Sequence, residues 1–463
     1  MEIISFFLNL LWGDLVTIPL PNGGSIGLSL LVLILVPAGI YFTIRTKALP
    51  IRLFPEMLRV TKEKKTSTTN NSISGFQALI VSTATRVGMG NLVGVVAAVS
   101  AGGAGAVFWM WITALLGSST AFAEAVLAQK YKEKDPLYGG YRGGPAYYIH
   151  AFFNRKKKNK TKRSVIAILF AVSGLICWGG ISQVISNSVS SSFENAFHIP
   201  PLYSTILLVT IAAIIVLRKN ATVKVLDIIV PIMACLYFII TIIIILMNIK
   251  TLPAVFNQIF SEAFGLRQIV AGGFGAVLMN GVKRGLFSNE AGSGSAPCAA
   301  AAADVDHPAK AGLLQAFGVI IDTIVICSCT AFIMLLVPSN ITTGLEGMTL
   351  LQTAMEFHLG GFGKIFIAIT LWLFSFSTFI GVLYYARSNV AYLFGDNWIS
   401  QTLYKVFALF MLFIGGLAAY TFVWDLSDIG IGLMTVFNML ALIPMAGEAI
   451  NCMKDYEQHI LNK

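Results

Sequence analysis

The chain has 463 residues, 56% of them hydrophobic and only 12% charged, with a mean hydropathy of +0.77. Such a composition excludes a water-soluble domain and describes a membrane protein with several spans, and the 42 glycines suit helices that approach closely in lipid. The net charge of +10 does not indicate nucleic acid, because the Lys and Arg cluster at 45–65 and 130–163, while the connections near 196–203, 338–347 and 420–428 hold none. That alternation is the positive-inside pattern, with the basic loops facing cytoplasm and anionic lipid.

In chain order, residues 1–20 read as an interfacial segment, and a first span is expected at 25–43, followed by a basic loop to 74. Further spans are expected near 75–101, 104–129, 164–195, 202–217, 224–248, 267–286, 311–337, 360–386, 402–420 and 428–446. The expectation is an all-α, polytopic protein of about eleven transmembrane helices in the cell membrane, N-terminus outside and C-terminus cytoplasmic. The segment 253–266 is expected to lie along the outer surface, and 346–359 to form an external helical loop. Glu2 stands where a signal peptide would carry basic residues, and no A-x-A-like site follows. The six cysteines lack metal-ligand spacing with histidine and read as reduced packing residues.

Setting the first span aside leaves ten, which divide into five and five, and an odd number per half forces the halves into opposite orientations. The corresponding division is 1–74 (interfacial segment, extra helix, basic loop), 75–249 (first repeat), 250–446 (second repeat) and 447–463 (cytoplasmic tail). The first span of each half carries a glycine-rich interruption, "GMGN" at 88–91 and "AGGFGAVLMNG" at 271–281. Paired interruptions in inverted repeats point to a transport site near the membrane midplane.

Breaking a helix in a bilayer frees backbone groups that cost several kcal/mol each if unsatisfied. The N-terminus of one half-helix offers N–H donors to a carboxylate, and the C-terminus of the other offers carbonyls to a cation. Gly88 and Gly90 permit the backbone angles and the close approach of a ligand. An amino acid with sodium meets both demands. Gly90 and Gly94, four apart, also suit simple helix packing, and the second interruption favours the site.

Arg86 lies near mid-span and needs a partner or a watery cavity, with Glu290 and Asp322 as candidates for a salt bridge. Asn91 joins these three as a coupling or gating candidate. Ser377 and Thr378, in "LFSFST", offer hard oxygens to sodium, although membrane hydroxyls commonly bond their own backbone.

The stretches "FQALIVSTATRVGMGNLVGV", "RGGPAYYI", "GVKRGLFSNEAGSGSAP" and "FGVIIDTIVICSCTAF" resemble the alanine/glycine:cation symporter family of bacteria and archaea, over about residues 75–446. The resemblance implies a leucine-transporter-like fold, an inverted five-plus-five repeat plus one N-terminal helix. It also implies uptake of a small neutral amino acid coupled to sodium or protons. By the same resemblance, substrate would meet Gly88, Met89 and Gly90 and the second broken helix near Phe274 and Asn280. Sodium would meet the carbonyls of Ala84, Val87 and Phe374 and the hydroxyls of Ser377 and Thr378.

Three positions depart from the family's pattern: Met89 stands in "GTGN", Ile185 where a glutamine is common, with Gln183 as its substitute, and Val382 where a tryptophan is common. A pocket without that aromatic lid has room for a larger side chain, so glutamine is an alternative substrate. No cofactor is expected, sodium serving as co-substrate, nor any nucleic-acid partner, and one chain is expected to suffice. An intramembrane serine protease built on "GSGSAP" would need a membrane histidine, and the nearest, His307, falls in a loop beside Asp304 and Asp306. The expectation is therefore a transporter and not an enzyme. A channel would differ by passing far more ions than amino acids.

Overall fold

The computed structural model describes residues 2–19, 25–63, 73–155, 163–217, 223–265 and 273–461. They are mainly helical, with short connections and three two-stranded pairings: Val16–Pro19 with Ser25–Leu28, Ile73–Ser74 with Ala303–Asp304, and Glu133–Lys134 with Tyr141–Arg142. The expected interfacial segment is the helix Glu2–Trp12 followed by the first of these hairpins.

Among the described residues, seven helical segments are long and apolar enough to span a bilayer: Gly75–Gly102, Gly105–Lys130, Val165–Phe197, Pro308–Leu335, Gly361–Phe394, Trp398–Leu417 and Phe422–Leu442. Pro231–Met247 makes an eighth candidate together with Leu252–Ala263, which turns off it by 104°. The shorter helices Leu30–Arg45 and Pro201–Val216, together with Gly273–Asn289, fill the remaining expected positions. The segment expected to form an external helical loop is the helix Gly347–Leu359, which buries Leu350, Leu351, Ala354 and Met355.

Small residues set how closely these helices pack, as expected where lipid supplies no hydrophobic drive between them. A Cβ on Gly180 would lie 2.4 Å from Ser427 N, and one on Gly430 2.4 Å from Cys177 Cα, so Val165–Phe197 and Tyr420–Leu442 meet backbone to backbone. Gly415 stands in the same relation to Gln183, with a Cβ only 2.3 Å from its Cα. All six cysteines are free thiols.

The two helices that begin the expected halves are both broken. In the first, Gly75–Thr85 runs into Val95–Gly102 through a widened turn at Arg86–Gly94, where Val87 (φ −74°, ψ 74°) and Gly88 (φ −157°, ψ −133°) leave the helical conformation. The second differs from the expectation. Over its described residues, 273–281 is continuous helix, and the interruption falls at 290–296, between Gly273–Asn289 and the short helix Pro297–Ala302.

The reason for that displacement is steric. Gly281 is a packing glycine, because a Cβ there would stand 2.4 Å from Trp109 Cβ, and on Gly285 2.3 Å from Thr113 Oγ1. In the true break, Glu290 (φ 57°), Gly292 (φ 91°) and Gly294 (φ 83°) all adopt left-handed conformations, which glycine tolerates best.

The C-terminal helix Ala446–Tyr456 folds back on the basic segments. Glu448 accepts from Lys130 at 3.3 Å and Tyr131 at 2.9 Å, and pairs with Arg155 at 2.5 Å. Burial pushes its carboxyl up, but these partners outweigh that and hold it below its ordinary range.

Gly430→Ala is expected to cost about 1–3 kcal/mol, the range for overpacking a filled interior. Gly447→Ala, with nothing within 4 Å of its Cβ, should be neutral. Melting temperatures of the two variants in detergent, against the parent protein, measure the difference.

Candidate functional site

The two breaks face each other across Gly90, whose Cβ would stand 3.4 Å from Ser288 Cα. The long helix Gly361–Phe394 closes a third side. Its Thr378 reaches the first break because residue 88 is glycine: a Cβ there would lie 2.1 Å from Thr378 Oγ1. Thr378 Oγ1 accepts from Met89 N at 3.2 Å and stands 3.5 Å from Ala84 O. Ser377 Oγ lies 2.8 Å from Phe374 O and 3.3 Å from Ala84 O. It therefore bonds its own helix, as membrane serines do, and faces a second helix as well. Two hydroxyl protons, from Ser377 and Thr378, face the carbonyls of Phe374 and Ala84, so this corner gathers four oxygens around two protons. Val87 is wholly buried beside it, and its ψ of 74° takes its carbonyl out of the helical ladder.

Arg86 is 1% exposed. Its Nε lies 4.0 Å from Glu290 Oε2, and its Nη1 donates to Gln315 O at 3.3 Å. Gly318 leaves room for the guanidinium, since a Cβ there would stand 2.8 Å from Nη1. Glu290, at the start of the second break, also accepts from Tyr385 at 3.3 Å, and Tyr385 bonds Thr85 on the first broken helix. Asp322 is held elsewhere: Ser288 Oγ donates to its Oδ2 at 2.7 Å and Thr323 Oγ1 at 2.8 Å. Asn91 Nδ2 donates to the Asp322 carbonyl at 3.0 Å, and its Oδ1 accepts from Gly88 N at 3.4 Å.

The remaining sequence candidates scatter. Gln183 lies under Gly415, where Val165–Phe197 crosses Trp398–Leu417, buried and with Oε1 unpartnered among the described residues. Val382 is 1% exposed and follows Gly381, whose Cβ would meet Thr85 Cγ2 at 2.2 Å. Ile185 is fully buried. Phe274 packs on Trp109 with ring centroids 5.9 Å apart, and Asn280 Nδ2 donates to Ala276 O at 2.9 Å. At 1.5 Å per residue, Asn280 sits about 15 Å along its helix from Glu290, away from both breaks.

Sequence reasoning missed three groups. Glu124 holds the second break: its Oε2 accepts from Gly292 N at 3.0 Å and its Oε1 from Asn438 Nδ2 at 2.6 Å. Asn438 also donates to Gly292 O at 3.0 Å and accepts from Tyr148. A lone carboxylate within "AFAEAVLAQ" was the available signal. The second group is a charged tie in the C-terminal half of Gly273–Asn289. Arg284 donates to Asp428 at 3.2 and 3.3 Å, Lys283 pairs with the same carboxylate at 2.7 Å, and Arg284 stacks 3.9 Å over the Trp424 ring. The third lies at the other end of Gly361–Phe394, where Arg387 pairs with Asp135 and Arg142 with Asp396 at 2.6 Å.

The sequence profile of the sodium:alanine symporter family matches residues 20–463. The chain belongs to that family. Among family relatives, a probable sodium/glutamine symporter, GlnT, of Bacillus subtilis is 42% identical over 92% of this chain and 87% of that protein. The sodium/alanine symporter AgcS of Methanococcus maripaludis is 34% identical over 92% of this chain and 94% of its own length. Two solved structures share the fold at 13% identity. MhsT in complex with L-phenylalanine has a TM-score of 0.56 over 83% of this chain and 90% of that one. A manganese transporter from Eremococcus coleocola has a TM-score of 0.54 over 84% and 81%. The architecture of this family member is leucine-transporter-like, and its relatives are transporters.

Breaking a buried ion pair from one side leaves a bare charge, at a cost of about 3–5 kcal/mol. Glu290→Gln is thus expected to lower the melting temperature sharply, and Arg86→Met combined with Glu290→Gln to recover part of the loss. A double-mutant cycle on the purified protein in detergent measures the coupling.

Proposed function

We propose that this protein is a sodium-coupled symporter that imports a small neutral amino acid by alternating access. The observation that carries the proposal is the oxygen-rich corner formed by Ala84 O, Phe374 O, Ser377 Oγ and Thr378 Oγ1, placed against the break at Val87 and Gly88. A small hard cation can engage all four such oxygens at once, whereas two hydroxyl protons pair them only two by two. The carbonyl of Val87 completes the set of sodium ligands. Beside it, the N–H groups of Gly88, Met89 and Gly90 begin the next half-helix and receive the substrate carboxylate. Gln183 and Val382 face the side chain, while Phe274 and Asn280 are too remote for direct contact and lie along the outer approach.

Sodium ordering the first break would raise the affinity for the amino acid, and reciprocity requires the amino acid to raise that for sodium. Arg86, Glu290 and Tyr385 link the breaks to the long helix and serve as the coupling lever. The ties Arg284–Asp428 and Arg387–Asp135 lie toward opposite ends of the site and act as the two gates. The basic segments at 45–65 and 130–163 orient the protein in the cell membrane with the C-terminus in the cytoplasm. One chain is proposed as the working unit.

Glutamine is within the substrate range. Valine at 382 is smaller than the tryptophan that the family resemblance leads one to expect there, and a relative at 42% identity is named a probable sodium/glutamine symporter. Proton coupling through Asp322 or Glu290 is the alternative for the driving ion.

Labelled alanine and glutamine should both enter proteoliposomes under an inward sodium gradient and stay out when choline replaces sodium at fixed pH. Uptake that ignores sodium and follows an imposed pH gradient would move coupling to the carboxylates. Val382→Trp should reduce glutamine uptake more than alanine uptake, measured in the same vesicles. Equal losses would remove Val382 from the pocket wall.

A further inference from the structure

At the end of the bundle marked by the basic segment 130–163, a cavity of about 290 Å³ opens between the loop helix Pro145–Asn154, the start of Val165–Phe197 and the last turn of Gly361–Phe394. Tyr392 on its wall sits about 20 Å along the long helix from Thr378, at 1.5 Å per residue, so the cavity is separate from the transport site. Two guanidinium groups line it. Arg163 Nη1 donates to the Leu393 carbonyl, and among the described residues no carboxylate lies within 4.0 Å of this cation. Arg142 pairs with Asp396 at 2.6 Å, while its Nε is buried without a hydrogen-bond partner among the described residues. The acid at the rim, Glu133, stands 3.9 Å from Arg142 and keeps 60% of its side chain in solvent.

The walls hold the cations in place. His150 Nδ1 accepts from Ser164 N at 3.1 Å, and the Tyr392 hydroxyl stands 3.1 Å from the same nitrogen, so the residue after Arg163 is tied to both neighbouring helices. Tyr131 closes the side toward the C-terminal helix, donating to Glu448 at 2.9 Å. A guanidinium without a carboxylate and a buried guanidinium nitrogen without an acceptor both call for the oxygens of an anion. The planar Arg fork matches phosphate oxygens, and a basic pocket between helix ends at the membrane surface suits a lipid headgroup. The surface beside the cavity is apolar. Val165, two residues after Arg163, is 69% exposed, and Phe394, next to the carbonyl that Arg163 bonds, is 64% exposed. Such side chains at the ends of bilayer-spanning helices meet acyl chains.

We infer that this cavity holds the phosphate of an anionic phospholipid, gripped by Arg142 and Arg163, with its acyl chains along Val165 and Phe394. The inference goes beyond the transport proposal and is independent of which ion drives uptake. A headgroup there touches the loop helix, the start of Val165–Phe197 and the end of Gly361–Phe394 at once, and it lies against the tie between Arg142 and Asp396. It therefore fastens three elements that meet at this end of the bundle.

The melting temperature of the purified full-length protein in detergent, with lipid or salt added, tests the site. Phosphatidylglycerol should raise it and phosphatidylcholine should not, since a ligand that binds only the folded state stabilises it by mass action. Arg163→Gln should need at least about tenfold more phosphatidylglycerol for the same rise, the scale of one lost charge-assisted contact. Lys134→Gln, which removes an exposed charge of the same basic segment outside the cavity, should leave the titration unchanged. Inorganic phosphate without lipid separates the sources: a rise equal to the lipid's keeps the phosphate site and overturns the lipid as its occupant. Equal titrations for Arg163→Gln and the parent protein overturn the site itself. So does an equal loss in Lys134→Gln, which would reduce the effect to diffuse charge. If Arg163→Gln does not fold, native mass spectrometry of the parent protein decides: retention of phosphatidylglycerol against excess phosphatidylcholine is expected, and no such preference overturns the inference.

Discussion

A backbone amide or carbonyl inside a bilayer must find a partner, and two interrupted helices place several such groups where no water can serve them. Much of the interior of this protein can be read as an answer to that constraint. Thr378 takes Met89 N, Asn91 takes Gly88 N, and Glu124 with Asn438 takes both backbone atoms of Gly292. Three of these side chains come from other stretches of chain, and Asn91 from across the break itself. The breaks are therefore stable as built, and the corner of four oxygens at Ala84, Phe374, Ser377 and Thr378 beside the first is where we propose that a cation binds.

The same constraint accounts for the polar residues in otherwise apolar helices. Arg86 stays buried because Glu290 and the Gln315 carbonyl face it and because Gly318 makes room. Tyr385 joins Glu290 to Thr85, so the long helix Gly361–Phe394 touches both breaks through one hydroxyl. A shift in either break changes the partners of the other, which is the physical requirement for two ligands to influence each other.

The helical plan was legible in the sequence because span length and the placement of Lys and Arg are read locally. The first break was legible too, since an arginine beside closely spaced glycines stands out in an apolar run. The second was not, because glycine has two uses that look alike in sequence: Gly281 and Gly285 let Trp109 and Thr113 approach, whereas Gly292 and Gly294 supply left-handed backbone. Taking the former for the break also drew Phe274 and Asn280 into the site, although both sit far along the helix. Tyr420–Leu442 takes in the stretch 420–428 that was expected to be a connection, and Asp428 lies within it paired to Lys283 and Arg284. Glu124 and Asn438 were illegible as a pair, being 314 residues apart, and only the folded chain brings them to one glycine.

The account depends most on the claim that the first break is a joint site for sodium and an amino acid. Equilibrium binding of labelled alanine and glutamine to the purified protein in detergent, across a series of sodium concentrations at constant ionic strength, tests that claim without any gradient. The account predicts that affinity for the preferred amino acid rises with sodium, that saturating amino acid raises sodium affinity by the same factor, and that Thr378→Ala abolishes both effects. Amino-acid affinity that is indifferent to sodium in the parent protein would contradict it.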